Sequence, residues 1–403
     1  MAEPGPAAAP VLVVGAGPVG LTTALALCAR GLPATVLEAD PENRIRPGSR
    51  ALFVHRESLA LLERARPGLG TTIANHGVTW HTRRTLYRGR QVYERSLAPP
   101  EPDALPPFAS LRQVETERHL LAACASAGVR FEWDAGVAGV AVTPAGVTLT
   151  TSDGREWTAE YAVAADGARS VVRRALDIPM SGTRTEGCHV VVDVAELPYA
   201  PPPSERVFHY EHPALGGRTV LRVPFAGGFQ VDLQCRDDDP PEAYGTAEAV
   251  RRWLPAVVGA GYEDQILWVS TYRFLQVVAT AFADPRRRVL LVGEAAHLFP
   301  PFGARGMNSG IADAVAAADA IAAAVADPGR AAQAVDGFAA DRRAAALFNS
   351  AAAGTALAHL RPGRVMRARQ RMAAALVPML PRLGSWLEHA PYGPRQTATS
   401  RRY

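Results

Sequence analysis

The sequence predicts an α/β protein: a parallel-sheet domain of Rossmann type, interrupted by an inserted, mostly antiparallel sheet and completed by a helical C-terminal segment. Three observations carry this. A fully apolar run, Val11–Val14, leads into Gly15-Ala16-Gly17-Pro18-Val19-Gly20, then an aliphatic stretch of helix length and a second apolar run at 34–37. Between residues 189 and 276 the pattern changes to short alternating segments, separated by proline-rich punctuation at 198–203 and 237–241. Beyond Gly306 the chain is alanine-rich with helical spacing.

A short run that is apolar throughout is buried on both faces, so 11–14 and 34–37 read as parallel strands with a crossover helix between them. Helical spacing recurs at 50–64 and 116–126, and short strands are expected at 129–133, 137–142, 147–151 and 156–161, with Ser152-Asp153-Gly154 as the turn between the last two. The inserted sheet is expected to use strands at 189–194, 207–210, 219–223, 229–234 and 266–274, after which 288–292 returns to the buried-strand pattern. The first domain is therefore expected from residues 1–75, 112–180 and 283–355, the second from 76–111 and 181–282, and the helical segment from 356–403. Within the second sheet, Leu221, Val223, Phe229, Val231 and Leu233 alternate with Arg222, Gln230, Asp232 and Gln234, as in a half-buried strand pair. The apolar set is expected to roof a site.

At 403 residues the chain is too long for one ordinary core, which agrees with two interleaved domains. Its longest greasy run, 311–325, is interrupted by Asp313 and Asp319, and residues 1–10 lack the basic segment and apolar core of a signal peptide, so a cytoplasmic protein with no membrane partner is expected. Cys28, Cys124, Cys188 and Cys235 include no C-x-x-C pair, so neither a metal site nor a disulfide framework is expected. All 43 basic residues are arginine, which excludes a Schiff-base lysine and a Walker-type phosphate lysine. The basic pairs are scattered without an aromatic ladder, which argues against nucleic-acid binding.

Three motifs carry chemistry. In the first, Gly15 allows the tight turn, Gly17 lets a pyrophosphate approach the backbone and Gly20 permits close helix–strand packing, while the helix N-terminus offers free N–H groups to the phosphates. Glu38 ends the second strand, where a carboxylate accepts from an adenosine ribose and disfavours a 2′-phosphate, so FAD or NAD is expected there and not NADP. The second motif is Asp166-Gly167 within 164–170, again between strand and helix. The third runs from Gly293-Glu294-Ala295-Ala296-His297 through Pro300-Pro301-Phe302-Gly303 to Gly306-Met307-Asn308-Ser309-Gly310, with Asp313 on the ensuing helix. A helix beginning near Gly306 aims its positive end at whatever occupies the turn, which favours negative charge there.

In this order the motifs resemble the class A flavoprotein monooxygenases, the group of p-hydroxybenzoate hydroxylase, phenol hydroxylase and the polyketide-tailoring aromatic hydroxylases. The resemblance spans roughly the whole chain. It implies that Gly15, Gly17, Pro18, Val19, Gly20 and Glu38 hold the ADP half of FAD, that Asp166 serves FAD and NAD(P)H binding, and that Gly293 and Glu294 meet the ribityl chain. It further implies Pro301, Gly306, Met307 and Asn308 beside the flavin, the last two through their N–H groups, with Arg50 and Gln113 as additional contacts. The implied activity is hydroxylation of a small apolar, aromatic or polyketide-type substrate in secondary metabolism, using NAD(P)H and O2 through a flavin C4a-hydroperoxide, by a monomer or homodimer. Among branches, the phenylpropionate hydroxylase group looks closest. The sequence departs from the family's pattern at Glu294, where aspartate is usual, and at Ala304, where a second glycine is usual. It stops near the end of the helical region, so the additional C-terminal domain of some relatives is not expected. Two alternatives stay open: an FAD-dependent oxidase or reductase that inserts no oxygen, and a flavin-holding protein that sequesters a ligand without turnover. No acid or base is singled out. His209, Tyr210 and Tyr272 are candidates to bind a substrate hydroxyl, and His297 is a candidate base whose motif position suggests packing beside the cofactor.

Overall fold

The structure is a computed structural model that describes residues 11–44, 53–98, 104–184, 188–199, 201, 203–236 and 238–394. Arg50 lies outside the described residues.

Val11–Val14 is the middle of a five-stranded parallel sheet, ordered Val289–Leu291, Tyr161–Ala164, Val11–Val14, Ala34–Leu37, Arg130–Glu132. The first four are buried along their whole length, as their unbroken apolar runs require. The Pro18–Cys28 helix starts directly from the glycine turn with proline at its first position and is buried over most of its surface. Against it packs Arg305–Ala326, which is backed in turn by Ala331–Leu360. Arg305–Ala326 is long and apolar enough to cross a membrane, yet it lies between two other helices with Ala314, Ala317 and Ala318 buried, because alanines let helix axes approach closely.

Seven strands form the second sheet, in the order Ile266–Tyr272, His189–Ala195, Gly228–Gln234, Arg218–Phe225, Glu205–His212, Thr82–Tyr87, Arg90–Ser96. All its neighbours are antiparallel except Glu205–His212 with Thr82–Tyr87, which run parallel. The expected strand at 266–274 stops at Tyr272, and Leu275–Ala279 joins a separate small sheet with Met180–Arg184 and His297–Leu298. The expected helix at 50–64 is Arg56–Ala65, preceded by the strand Phe53–His55, and the one expected at 116–126 begins at Gln113.

One expectation fails in an instructive way. Phe225 pairs with Gly228 across a two-residue turn, which sets Leu221 opposite Asp232 and Val223 opposite Gln230. Directly opposed residues share a face. Leu221 and Val223 therefore stand with Gln230, Asp232 and Gln234, whereas Phe229, Val231 and Leu233 face the other way, into a core with Val190, Val192, Val194 and Trp253. Alternation fixes the two faces of each strand, but register fixes which faces coincide.

The C-terminal helices Arg364–Leu376 and Pro381–His389 pack on the cavity face of this sheet, toward its Arg90–Ser96 edge, where Tyr87, Phe208, Tyr210, Leu360 and Leu387 form a cluster. Arg206 forms a fully buried ion pair with Glu388, and its other guanidinium nitrogen donates to the Tyr392 hydroxyl at 2.5 Å.

Candidate functional site

One cavity of about 700 Å³ extends from the C-terminal ends of the parallel strands to the face of the seven-stranded sheet, within the size range of small-molecule and cofactor sites. At its near end Gly15 has φ +100°, and a Cβ on Gly20 would lie 1.9 Å from the Gly15 carbonyl oxygen. Gly17 differs, because a Cβ there would meet nothing within 4 Å, and the residue lines the cavity with Pro18 and Val19. The protein itself requires Gly20. The space above Gly17 is open to the cavity.

Glu38 lines the same end and is buried. Its carboxylate accepts the Ala16 N–H at 2.5 Å and the Asp40 N–H at 3.0 Å, and Arg44 stands 2.8 Å away. Burial works against the charge, but the two N–H groups and the Arg44 guanidinium outweigh it and hold the carboxyl below the usual range. Arg44 also donates to the Ala16 carbonyl at 2.7 Å, so it braces the glycine turn. No local pattern in the sequence marks it.

Asp166 follows the Tyr161–Ala164 strand. Its Oδ2 accepts the Val172 N–H at 3.1 Å, while Oδ1 is buried with no partner among the described residues. Burial pushes its carboxyl up, against the hydrogen bonds from Ser170 and Val172. A buried acceptor left open beside a cavity suits a ligand hydroxyl.

Further along, Glu294 is exposed to the cavity, and Pro301, Gly303 and Ala304 form the turn before Arg305–Ala326. Ala304 holds φ 54°, a left-handed conformation that costs a residue with a Cβ about 1–2 kcal/mol, which is the physical ground for a glycine here in the pattern the sequence departs from. The helix begins at Arg305, one residue before the expected start, and Gly306 and Met307 at its open end line the cavity. Asn308 does not. Its side chain accepts the His55 N–H at 2.9 Å and donates to the carbonyls of Phe53 and Ala304, so it ties the helix start to the Phe53–His55 strand. Gln113 lines the cavity and donates to Glu117 at 2.9 Å. Gly293 sits behind the lining: its N–H donates to Asp313 at 3.1 Å, and a Cβ on it would lie 3.0 Å from Val19.

None of the four acid–base candidates lines the cavity. His297 is buried behind the turn, with Nε2 2.7 Å from Asp313 and its ring stacked on Phe299. His209 accepts the Gly89 N–H at 2.9 Å. Tyr210 donates to the Leu387 carbonyl at 2.6 Å within the C-terminal cluster, and Tyr272 ends the edge strand. The seven-stranded sheet instead presents Leu221 and Val223 with Gln230, Asp232, Gln234 and Trp268. The expected roof residues Phe229, Val231 and Leu233 lie outside the lining. The signal that would have found the polar row is the two-residue turn at 226–227, whose register pairs odd with even numbers.

A family profile described as an FAD binding domain matches residues 8–348. The chain belongs to that family. FAD is the cofactor, and the residues present fit it: the open space above Gly17, the unpartnered Asp166 Oδ1 and the free helix start at Gly306 and Met307 follow one another along one cavity. Among relatives, 6-methylpretetramide 4-monooxygenase of Streptomyces rimosus is 33% identical over 327 residues, covering 75% of this chain and 54% of that protein. The 3-(3-hydroxy-phenyl)propionate/3-hydroxycinnamic acid hydroxylase of Mycobacterium avium (strain 104) is 29% identical over 333 residues, covering 78% and 55%. The chain thus spans about half the length of these curated relatives. The crystal structure of p-nitrophenol 4-monooxygenase from Pseudomonas putida DLL-E4 superposes with a TM-score of 0.75 at 26% identity, covering 96% of this chain and 99% of that one. The resemblance read from the motifs to class A flavoprotein monooxygenases is thereby borne out at the level of family.

Glu38→Ala is expected to weaken FAD binding by about 1–3 kcal/mol through lost charged hydrogen bonds, read by titrating apoprotein with FAD. Glu294→Asp restores the residue usual in the family and is expected to leave affinity within about threefold, a change below about 0.7 kcal/mol. An unchanged affinity in Glu38→Ala would remove Glu38 from the ribose site.

Proposed function

We propose that this chain is an FAD-dependent monooxygenase that uses NAD(P)H and O2 to hydroxylate a small aromatic or polyketide-type molecule in the cytoplasm, as a monomer or homodimer. The observation that carries the reading is the continuity of the cavity: a nucleotide cradle at Gly17 and Glu38 opens, past the free end of the Arg305–Ala326 helix, into a chamber walled by Phe53, Phe208, Leu221, Val223, Trp268 and Phe302. Bound FAD, once reduced, supplies the activation of O2 from which one atom enters the substrate. The chain supplies position and field. The N–H groups of Gly306 and Met307 at the helix start face the cavity end of the helix dipole, which favours negative charge there. The rings and aliphatic side chains keep water from the reacting centre, and the absence of side chains at Gly303 and Gly306 leaves the turn beside the cavity uncluttered.

The named activities of the relatives, hydroxylation of 6-methylpretetramide and of hydroxyphenylpropionate, support an aromatic ring as the substrate class. The test is oxidation of NAD(P)H with and without a candidate aromatic under labelled O2. Substrate is expected to accelerate cofactor oxidation at least about tenfold, worth about 1.4 kcal/mol of barrier, with oxygen-18 in the product. Label from water alone, or oxidation with no added oxygen, would establish the oxidase or reductase alternative, and absence of any substrate-dependent oxidation would establish the sequestering one.

A further inference from the structure

Gln230, Asp232 and Gln234 form a polar row on the cavity face of the Gly228–Gln234 strand, in a chamber whose wall carries His189, Arg206 and Thr219 beside the rings and aliphatic side chains of Phe208, Leu221, Val223 and Trp268. Gln230 is engaged, donating to Asp193 at 2.9 Å. The other two are not. Asp232 Oδ1 and Gln234 Oε1 are shielded from solvent and have no hydrogen-bond partner among the described residues. An acceptor left in this state costs about 1–3 kcal/mol, and two of them on alternate residues of one strand stand about 6.5–7 Å apart along it. A fold that needed only a core would place apolar groups here, as the opposite face of the same strand does with Phe229, Val231 and Leu233. The arrangement suits a flat molecule bearing two hydrogen-bond donors on one edge.

The charges around Asp232 are few. On the neighbouring His189–Ala195 strand, Asp193 has Arg112 at 3.5 Å, and His189 at the strand's start is neutral, its imidazole pulled down to about 3 first by burial and then by Arg361. The strand on the other side offers Thr219, Leu221 and Val223, none of which titrates. Arg206, one strand further, is held by Glu388, Tyr272 ends the edge strand, and Arg305 and Tyr392 belong to the opposite wall. Burial, followed by the like charge of Asp193, pushes the Asp232 carboxyl up to about 7.

We propose, resting on the reading of the chain as an aromatic monooxygenase, that its substrate carries a ring hydroxyl whose proton is taken by Asp232, while Gln234 receives a second donor on the same edge. The substrate O–H bond breaks, the proton passes to Asp232 Oδ1, and the electron pair remains on the substrate oxygen, where it enriches the ring carbon to be oxygenated. A group at this position ionises near neutral pH, where a general base is most effective.

The experiment uses FAD-loaded protein with 2,7-dihydroxynaphthalene and its dimethyl ether as probes, following binding by the flavin absorbance at pH 6 and pH 8. At pH 8, where the Asp232 carboxylate is ionised and accepts the hydroxyl, the diol is expected to bind at least tenfold tighter than the ether, and this preference is expected to shrink at pH 6, where the carboxyl is protonated. Asp232→Asn, with FAD content unchanged, is expected to lose this pH dependence, and Gln234→Leu to weaken the diol about tenfold while keeping it. Equal binding of diol and ether at pH 8, no binding of the diol, or a pH dependence that persists in Asp232→Asn overturns the proposal. The wild-type comparison stands even if a variant fails to fold. These readouts need neither NAD(P)H nor O2, so an absence of oxygen insertion would strike the monooxygenase reading alone, whereas oxygenation undiminished in Asp232→Asn would strike only the role of Asp232.

Discussion

Asp313→Ala is expected to destabilise the protein by about 3–5 kcal/mol, the range for removing one partner of a buried ion pair, and to release FAD. Asp313 is fully buried and joins its own helix to two other parts of the chain: the turn at 293–297, through His297 at 2.7 Å and the Gly293 N–H at 3.1 Å, and the Ala331–Leu360 helix, through Arg342 at 2.7 Å. Removing the carboxylate leaves a largely buried guanidinium and a buried N–H without their acceptor, and it frees the turn that carries Glu294. Against a total stability of about 5–15 kcal/mol this is a large fraction. Burial opposes the charge on Asp313, but Arg342 and His297 outweigh it and depress the carboxyl below its unfolded value. The contribution is therefore complete above the unfolded value, about 3.9, and is lost as pH falls through the folded one. Denaturant unfolding of wild type and variant at neutral pH checks the magnitude. A loss under about 1 kcal/mol, the scale of an ordinary hydrogen bond, would mean the triad does not hold the turn.

The two glycine variants of the first motif should separate a packing requirement from a ligand requirement. In Gly20→Ala the new methyl would overlap the Gly15 carbonyl at 1.9 Å, inside a helix pressed against its strand, and no side-chain rotation relieves a contact with backbone. We expect loss of both fold stability and FAD. In Gly17→Ala the methyl meets nothing of the protein within 4 Å. The apoprotein should therefore melt as wild type does, while FAD affinity falls at least about a hundredfold, or about 2.7 kcal/mol, because the methyl enters the space of the pyrophosphate. Apoprotein melting and FAD titration of both variants decide it. A Gly17→Ala protein that binds FAD normally would displace the pyrophosphate from this turn.

Much of the cofactor end was legible because its signals are local. Gly15, Gly17 and Gly20 act within one turn, Glu38 closes the next strand, and Asp166 and Gly306 stand at strand-to-helix junctions that apolar runs announce. The side-chain role of Asn308 was not legible, since its position in the motif says that it matters but not that its side chain ties down the Phe53–His55 strand from 253 residues away. Arg44 went unnoticed for the same reason, its partners being Ala16 and Glu38 across the turn.

The substrate end behaved differently. Alternation correctly divides Phe229, Val231 and Leu233 from Gln230, Asp232 and Gln234, and the usual apolar lining of cavities points the apolar set toward the site. Pairing of Phe225 with Gly228 reversed that assignment, and packing of Val250, Trp253 and Leu254 behind the sheet gave the apolar set its core. His297 and Tyr210 looked like chemistry and are structural, held by Asp313 and by the Leu387 carbonyl respectively. By itself the sequence determined the parallel-sheet domain, its glycine turn and the order of the motifs, since each is written in neighbouring residues and obeys short-range sterics. Only the tertiary structure decided which face of the second sheet meets the cavity and which titratable groups stand there, because strand register and helix docking bring together residues between which no local periodicity runs.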